Sequence, residues 1–460
     1  MTSSCARLWP IALIVLLFAL WGAANNLNDI LIKQFTKAFT LKDWQSGLVQ
    51  SAFYVGYFVG SLPAAMVMRA RGYKASVLCG LSLFALGALL FVPASQGGGS
   101  YPGLLACLYL IAFGLAFLES SANPWIVVLG DLYLPGSGTQ ALNVAQSFNP
   151  VGSLVGLLVG RFFILDGDEM SAEEHTAMSL EDERLYREYE ASRVGAPYAA
   201  IACLVAATAI AFALTAFPAI PNNESGRKLT FTSVCSTAWR LALSSRGFMF
   251  GVFAQFAYVA AQVCVWSFQI RYVEINVPGT GERQASDMVI LSLIIFMCGR
   301  FVASALLSVI SEALLLGIYA WLASLMCVGA ATIGGRVGVA CVCATSFFMS
   351  MMYPTIFGCS ISRLNPDDQE VGAALVVMAI VGGAVAPPLM GSVSDASSIT
   401  HAYAVPAACF LIVFLYACTL SRWFATADPD GELEPRKATP ATAPQDISNV
   451  VGACESPQDV

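Results

Sequence analysis

Charge is what this chain has least of. Of its 460 residues only 12% are Asp, Glu, Lys or Arg, against about 25% in soluble domains, and 57% are hydrophobic. That balance excludes an ordinary water-soluble enzyme. Histidine is scarcer still: His175 and His401 are the only two, both in loop-like segments, which argues against a histidine proton relay. No run of Lys and Arg exceeds two residues, so the basic cluster that a nucleic-acid face needs is missing. Cysteine is plentiful, at fourteen, but eleven sit in apolar runs, where Cys packs as a small hydrophobe. Cys341 and Cys343 fall on different faces of one helix, with no His or carboxylate near, so no metal site is expected. Nor does any nucleophile with a base, or any phosphate loop, appear. An enzyme and a cofactor are both excluded on these grounds.

What is present is apolar length. A bilayer crossing takes about 20 mostly apolar residues, and twelve such stretches begin near Pro10, Trp44, Ser76, Gly103, Ala141, Ala196, Phe248, Met288, Leu314, Val337, Val371 and Ala402. They predict an all-α, multi-pass protein of the cell membrane with the lipid bilayer as its main partner. The stretches group six and six: an N-terminal bundle over 10–220, a polar cytoplasmic linker over 221–247 and a C-terminal bundle over 248–423. Residues 1–9 and the tail 424–460 would be cytoplasmic, the tail disordered for want of any apolar period. With both termini inside, twelve Lys and Arg fall on the cytoplasmic side against ten outside, the direction of the positive-inside rule. The net charge of −7 belongs to an external acidic loop over 166–195 and to the tail. Residues 1–24 imitate a secretory signal ending in Gly22-Ala23-Ala24, yet the apolar run resumes at Ile30, which marks an uncleaved first span.

Helix breakers recur at corresponding places. Pro124 falls in the fourth stretch and Pro354 in the tenth; Pro150 with Gly152 falls in the fifth, and Pro387 with Pro388 in the eleventh. In repeat-built transporters such matched interruptions mark the binding site, so Pro124 and Pro354 are expected to have gating or structural roles.

Three charges lie at bilayer depth, where each costs about 2.5–3.5 kcal/mol on insertion scales. Glu119 has no Lys or Arg three or four residues away, so burial favours its neutral form, as suits a group that takes up and releases a proton. Asp29 has Lys33 one turn on as a partner. Arg300, in the eighth stretch, pairs with a carboxylate, bonds backbone carbonyls or reaches toward an interface.

Neutral hydrogen-bonding groups surround these charges. Asn25, Asn26 and Asn28 precede Asp29, with Asn25, Asn26 and Asp29 on one face. Gln146 and Asn149 share a face of the fifth stretch. In the seventh, Gln255, Tyr258, Gln262, Trp266 and Gln269 form one stripe, better satisfied by a water-filled cavity than by hydrocarbon. Amides offer donor and acceptor together, Tyr353 adds a hydroxyl, and Trp21, Phe148 and Trp266 add flat faces. A neutral sugar fits this set better than an anion, a cation or a peptide.

The strings Leu20-Trp21-Gly22-Ala23-Ala24-Asn25-Asn26-Leu27-Asn28-Asp29, Gln50-Ser51-Ala52-Phe53-Tyr54-Val55-Gly56-Tyr57, Leu118-Glu119-Ser120-Ser121-Ala122-Asn123-Pro124, Leu142-Asn143-Val144-Ala145-Gln146-Ser147-Phe148-Asn149 and Tyr353-Pro354-Thr355-Ile356-Phe357 closely resemble the fucose permease (L-fucose:proton symporter) family of the major facilitator superfamily. The likeness covers most of 10–423. It implies twelve transmembrane helices in two six-helix bundles around a central cavity that opens alternately to each side. It further implies proton coupling at Asp29 and Glu119 and a monosaccharide bound by cavity positions including Asn26, Gln146, Asn149, Gln262, Trp266 and Tyr353. The partners expected are the sugar, a proton or else sodium, and no second protein chain, the molecule acting as a monomer. Sodium-driven glucose or galactose uptake and a nontransporting sugar sensor are the alternatives. One departure stands out: Met68-Arg69-Ala70-Arg71-Gly72-Tyr73-Lys74 lacks the acidic residue usual in the superfamily between spans two and three, so the latch it would supply must differ.

Overall fold

In hydrocarbon a backbone can satisfy its polar groups only by helix or closed barrel, and this chain takes the helical route. A computed structural model describes residues 9–24, 43–96, 100–133, 137–159, 194–217 and 231–426, with isolated positions between 181 and 192. No strand occurs among the described residues, and nine of their helices are long and apolar enough to cross a membrane. Asn25, Asn26, Asn28 and Asp29, most of the acidic loop, and the tail beyond residue 426 lie outside them.

The spans, in chain order, are α1 (Trp9–Ala24), the long helix Asp43–Ala94 whose arms are α2 (43–71) and α3 (73–94), α4 (Tyr101–Tyr133), α5 in two pieces (Gly138–Gln146 and Asn149–Val159) and α6 (Gly195–Leu214). A helix over Phe231–Ser244 occupies much of the connecting segment. Then come α7 (Arg246–Ser267, continued by Gln269–Asn276), α8 (Glu282–Leu306), α9 (Glu312–Ile333), α10 (Gly335–Met349 and Met352–Ile361), α11 (Gln369–Met378 and Gly382–Ala396, joined by the 3-10 turn Ala379–Val381) and α12 (Ala404–Thr426). Gly72 divides α2 from α3 because it alone there has φ 82° and ψ 172°, a backbone state that L side chains avoid.

Only some of the prolines break their helices. A proline lacks the N–H that would bond the carbonyl four residues back. Pro150 therefore frees the Gln146 carbonyl, and α5 breaks at Ser147 and Phe148. Pro354 acts likewise on Ser350, next to the break in α10. Pro124 lies inside an unbroken α4, and Pro387 and Pro388 lie inside Gly382–Ala396, with the interruption of α11 five or more residues earlier. The expected interruption at Pro124 is thus not found. The helix simply carries one missing bond there, which neighbouring groups can absorb.

Helices α1–α6 pack on one another, as do α7–α12. In the first half α2 and α3 lie along α4, the Phe91 ring stacks on Tyr198 of α6 at 4.1 Å, and the Lys74 ammonium caps α6 by donating to the carbonyls of Ala213 and Thr215 at 3.0 and 2.9 Å. In the second half the Tyr403 ring meets Tyr272 edge-on at 4.7 Å, and Tyr272 donates to the Ala330 carbonyl at 2.7 Å. Arg240 ties the connecting helix to Asp368, at the foot of α11, at 2.6 Å. The tightest helix contact is α1 on α5, where a Cβ on Gly152 would overlap the Ala19 carbonyl and one on Gly22 the Asn149 carbonyl.

Gly152→Val should therefore lower the unfolding temperature of the detergent-purified protein by several degrees, as overpacking by about 1–3 kcal/mol does. Gly281→Ala, which meets nothing within 4 Å, should leave it unchanged.

Candidate functional site: a polar cavity between the two halves

Seven helices bring polar or aromatic positions to one cavity of about 180 Å³. A water takes about 10–15 Å³ of such space, so the cavity admits a ligand of roughly a dozen heavy atoms. From the first half it is lined by Trp21, Tyr54, Tyr57, Glu119, Gln146 and Asn149; from the second by Gln262, Trp266, Arg300 and Tyr353. Of the residues expected from sequence, Trp21, Glu119, Gln146, Asn149, Gln262, Trp266, Tyr353 and Arg300 thus converge. Pro124 and Pro354 do not reach the wall, and the Asn25 to Asp29 group is outside the described residues.

Glu119 lies in the middle of α4 and is 5% exposed. The hydroxyls of Tyr353 and Tyr57 are directed toward its carboxylate without reaching hydrogen-bond geometry, and Arg300 attracts it from the opposite half. Arg300, also 5% exposed, closes no ion pair with it. Arg300 instead donates from Nη1 to the Gln146 carbonyl at 2.8 Å and to the Gln146 side-chain oxygen at 3.1 Å. The first acceptor is the carbonyl that Pro150 leaves without an intrahelical donor. Phe296 covers the guanidinium at 4.9 Å, within cation–π range.

The Gln146 amide group donates to Asn123 Oδ1 at 3.1 Å, one turn beyond Glu119 on α4. Asn149, just past the α5 break, donates to the Phe18 carbonyl at 3.2 Å. The Trp266 indole donates to the Ser346 hydroxyl at 3.2 Å, which fixes its face toward the cavity, and Trp21 leans on Phe18 at 4.4 Å. These bonds leave donors and acceptors over: Tyr57, Tyr258 and Tyr353 hydroxyls, Asn123 Nδ2 and Arg300 Nε are buried without a protein partner. A buried polar atom left bare costs about 1–3 kcal/mol, so the site is built to be completed by water or by a ligand rich in hydroxyls.

The α7 stripe divides. Gln262 and Trp266 face the cavity. Tyr258 lies beneath it, 6.2 Å from the Tyr353 ring centre, and Gln255 is wholly buried with both amide atoms bare. Gln269 follows the helix break at Phe268 and turns its amide nitrogen elsewhere, donating to the Ser292 hydroxyl at 2.7 Å and the Met288 carbonyl at 3.1 Å, with its Oε1 left bare. Phe148 also departs from expectation: in the α5 break it is 38% exposed and meets Phe301 edge-on. Sequence reasoning missed Tyr54, Tyr57, Asn123 and Phe296. Tyr54 and Tyr57 are three apart on α2, so a shared face was the available signal.

The description Major Facilitator Superfamily matches residues 11–380 of this chain. The chain belongs to the Major Facilitator Superfamily. Within it, this facilitator falls in the fucose permease family: it is 39% identical over 412 residues, 89% of its own length and 92% of the relative's, to the L-fucose-proton symporter of Escherichia coli (strain K12). It is 31% identical over 88% of its length and 92% of the relative's to a glucose/galactose transporter of Brucella abortus biovar 1 (strain 9-941). Its fold matches the crystal structure of FucP in the outward conformation with a TM-score of 0.81 at 38% identity, covering 90% of this chain and 99% of that one. The proton:xylose symporter XylE shares the fold at 13% identity, with a TM-score of 0.64 over 90% of this chain and 96% of the other.

Because Gln146 serves Arg300 and Asn123 at once, Gln146→Leu should weaken sugar binding by tenfold or more, each orphaned partner costing about 1–3 kcal/mol. Isothermal titration on the purified facilitator measures this.

Proposed function

We propose that this protein imports a neutral sugar, L-fucose or a related hexose, by proton symport through alternating access. The observation that carries the reading is Glu119: a carboxylate 5% exposed, without a direct ion pair, placed at the same cavity as an amide and tryptophan wall. A carboxylate there exchanges its charge at the cost of a proton, and no other described residue of the cavity wall is an acid. The relatives named L-fucose-proton symporter support both the sugar class and the cation.

With the cavity open to the outside, a proton neutralises Glu119. The pull between Glu119 and Arg300 then relaxes, and Gln146, Asn149, Gln262 and the free tyrosine hydroxyls become available to the sugar hydroxyls. Trp21 and Trp266 cover its C–H faces. Closure around the loaded site and opening on the other side deliver sugar and proton together. Deprotonated Glu119 then restores the attraction to Arg300. Asp29, which follows α1 in the sequence, serves as a second proton carrier, and Asn25, Asn26 and Asn28 as further sugar contacts. A membrane potential adds about 2.3 kcal/mol per charge per 100 mV, so one proton per sugar supports strong accumulation.

Glu119→Gln should retain sugar counterflow in proteoliposomes but lose accumulation against a gradient. Wild-type uptake should fall as external pH rises, because the protonated form is the one that loads, whereas counterflow by the Gln variant should depend on pH less steeply, Asp29 alone still titrating. Accumulation by Glu119→Gln would reject the assignment. Uptake that follows sodium at constant pH, and ignores the proton gradient, would favour the sodium-driven alternative instead.

A further inference from the structure

Away from the cavity, toward the end where α2 turns into α3 and α5 begins, the two halves meet along a line of polar contacts. One face of α5 supplies Gln146, Asn143 and Thr139, spaced three and four residues apart. Gln146 holds Arg300, as described. The Asn143 amide donates to the Thr355 hydroxyl at 3.3 Å, and Ser147, beside them, meets Ser304 at 3.3 Å. Thr139 lies so close to α10 that a Cβ on Gly358 would sit 2.8 Å from its side chain. The Thr139 hydroxyl is directed at the carboxylate of Glu312, which also accepts the Cys359 thiol at 3.2 Å. Further out, Glu370 at the start of α11 attracts Arg69 beside the Gly72 turn.

We propose that Glu312 is the latch of an inner gate, and that the α5 face carries its state to the sugar site. Glu312 is fixed to its own half through Cys359 and reaches the other half through Thr139. It stands in the first turn of α9, where the two halves meet, and each hydrogen bond it accepts contributes about 0.5–1.5 kcal/mol net. Thr139 is two turns from Gln146 on the same helix face, so parting the halves at Glu312 and re-pairing Gln146 with a ligand are movements of one rigid segment. The Arg69–Glu370 attraction takes the place of the acidic residue missing from the 68–74 turn. This inference rests on the alternating-access part of the proposed function and is independent of which sugar or cation is carried.

Cys359 gives a native reporter, because it lies behind the Thr139–Glu312 contact and is buried while that contact holds. The full chain in proteoliposomes would be treated with membrane-permeant N-ethylmaleimide, and labelling of the peptide bearing Cys359 followed by mass spectrometry. Thr139→Val should raise the labelling rate severalfold, up to about tenfold, the equivalent of losing one neutral polar contact of about 0.5–1.5 kcal/mol. Thr139→Ser, which keeps the hydroxyl, should label as wild type. Combining Glu312→Ala with Thr139→Val should add no more than Glu312→Ala alone, since both remove the same contact. Unchanged labelling in Thr139→Val, or fully additive effects in the double variant, would overturn the gate. The readout needs no sugar, so a failure of counterflow with labelling as expected counts against the proposed substrate and leaves the latch standing.

Discussion

Two opposite charges, Glu119 and Arg300, are held in the hydrocarbon-depth interior on different halves of the molecule, and the rest of the site follows from the need to make that tolerable. Neither has a partner on its own helix. Each would cost several kcal/mol if sealed in apolar packing, so the space between them must hold water or ligand and must be walled by hydroxyls and amides. Tyr57, Tyr353 and Gln146 are that wall. The cavity is therefore a solvation device first. It becomes a binding site because a polyhydroxylated molecule can do what the water does.

The broken helices serve the same constraint. Pro150 removes the donor that the Gln146 carbonyl would otherwise have, and Arg300 from the opposite half supplies the replacement at 2.8 Å. A structural defect in one half is thus repaired by a charge in the other. Within each half, helices approach through glycine and aromatic rings, as at Gly152 on Ala19 and Phe91 on Tyr198; such packing has no substitute if pulled apart. Between the halves, Phe148 meets Phe301 edge-on and Gly383 lies against the Tyr54 ring, and hydrogen bonds such as Asn143 to Thr355 are added, whose net worth is about 0.5–1.5 kcal/mol each because water can replace them. A molecule divided in this way is stiff inside each half and exchangeable between them, which is what alternating access requires.

Most of the fold was legible in hydropathy, since a run of about 20 apolar residues has only the helix available to it in a membrane. The residues of the site were legible for a related reason: Glu119, Arg300, Gln146 and Gln262 stand out where polarity is costly. What polarity could not reveal was use. Gln269 has the same spacing and chemistry as Gln262, yet it turns away after the helix break at Phe268 and bonds Ser292. Phe148 has an aromatic face but points outward from the α5 break. Pro124 carries the same warning as Pro150 and leaves its helix intact.

By itself the sequence determined the helical class, the number and placing of the apolar runs, and the identity of the few charges that sit among them, because each of these depends on local composition against a fixed bilayer thickness. Only the tertiary structure decided who answers those charges. Arg300 is 181 positions from Glu119 along the chain, and no helical period relates them. Their approach, the Gln146 carbonyl that Pro150 frees and Arg300 takes up, and the Glu312 carboxylate between Cys359 and Thr139 all arise from how one half packs on the other.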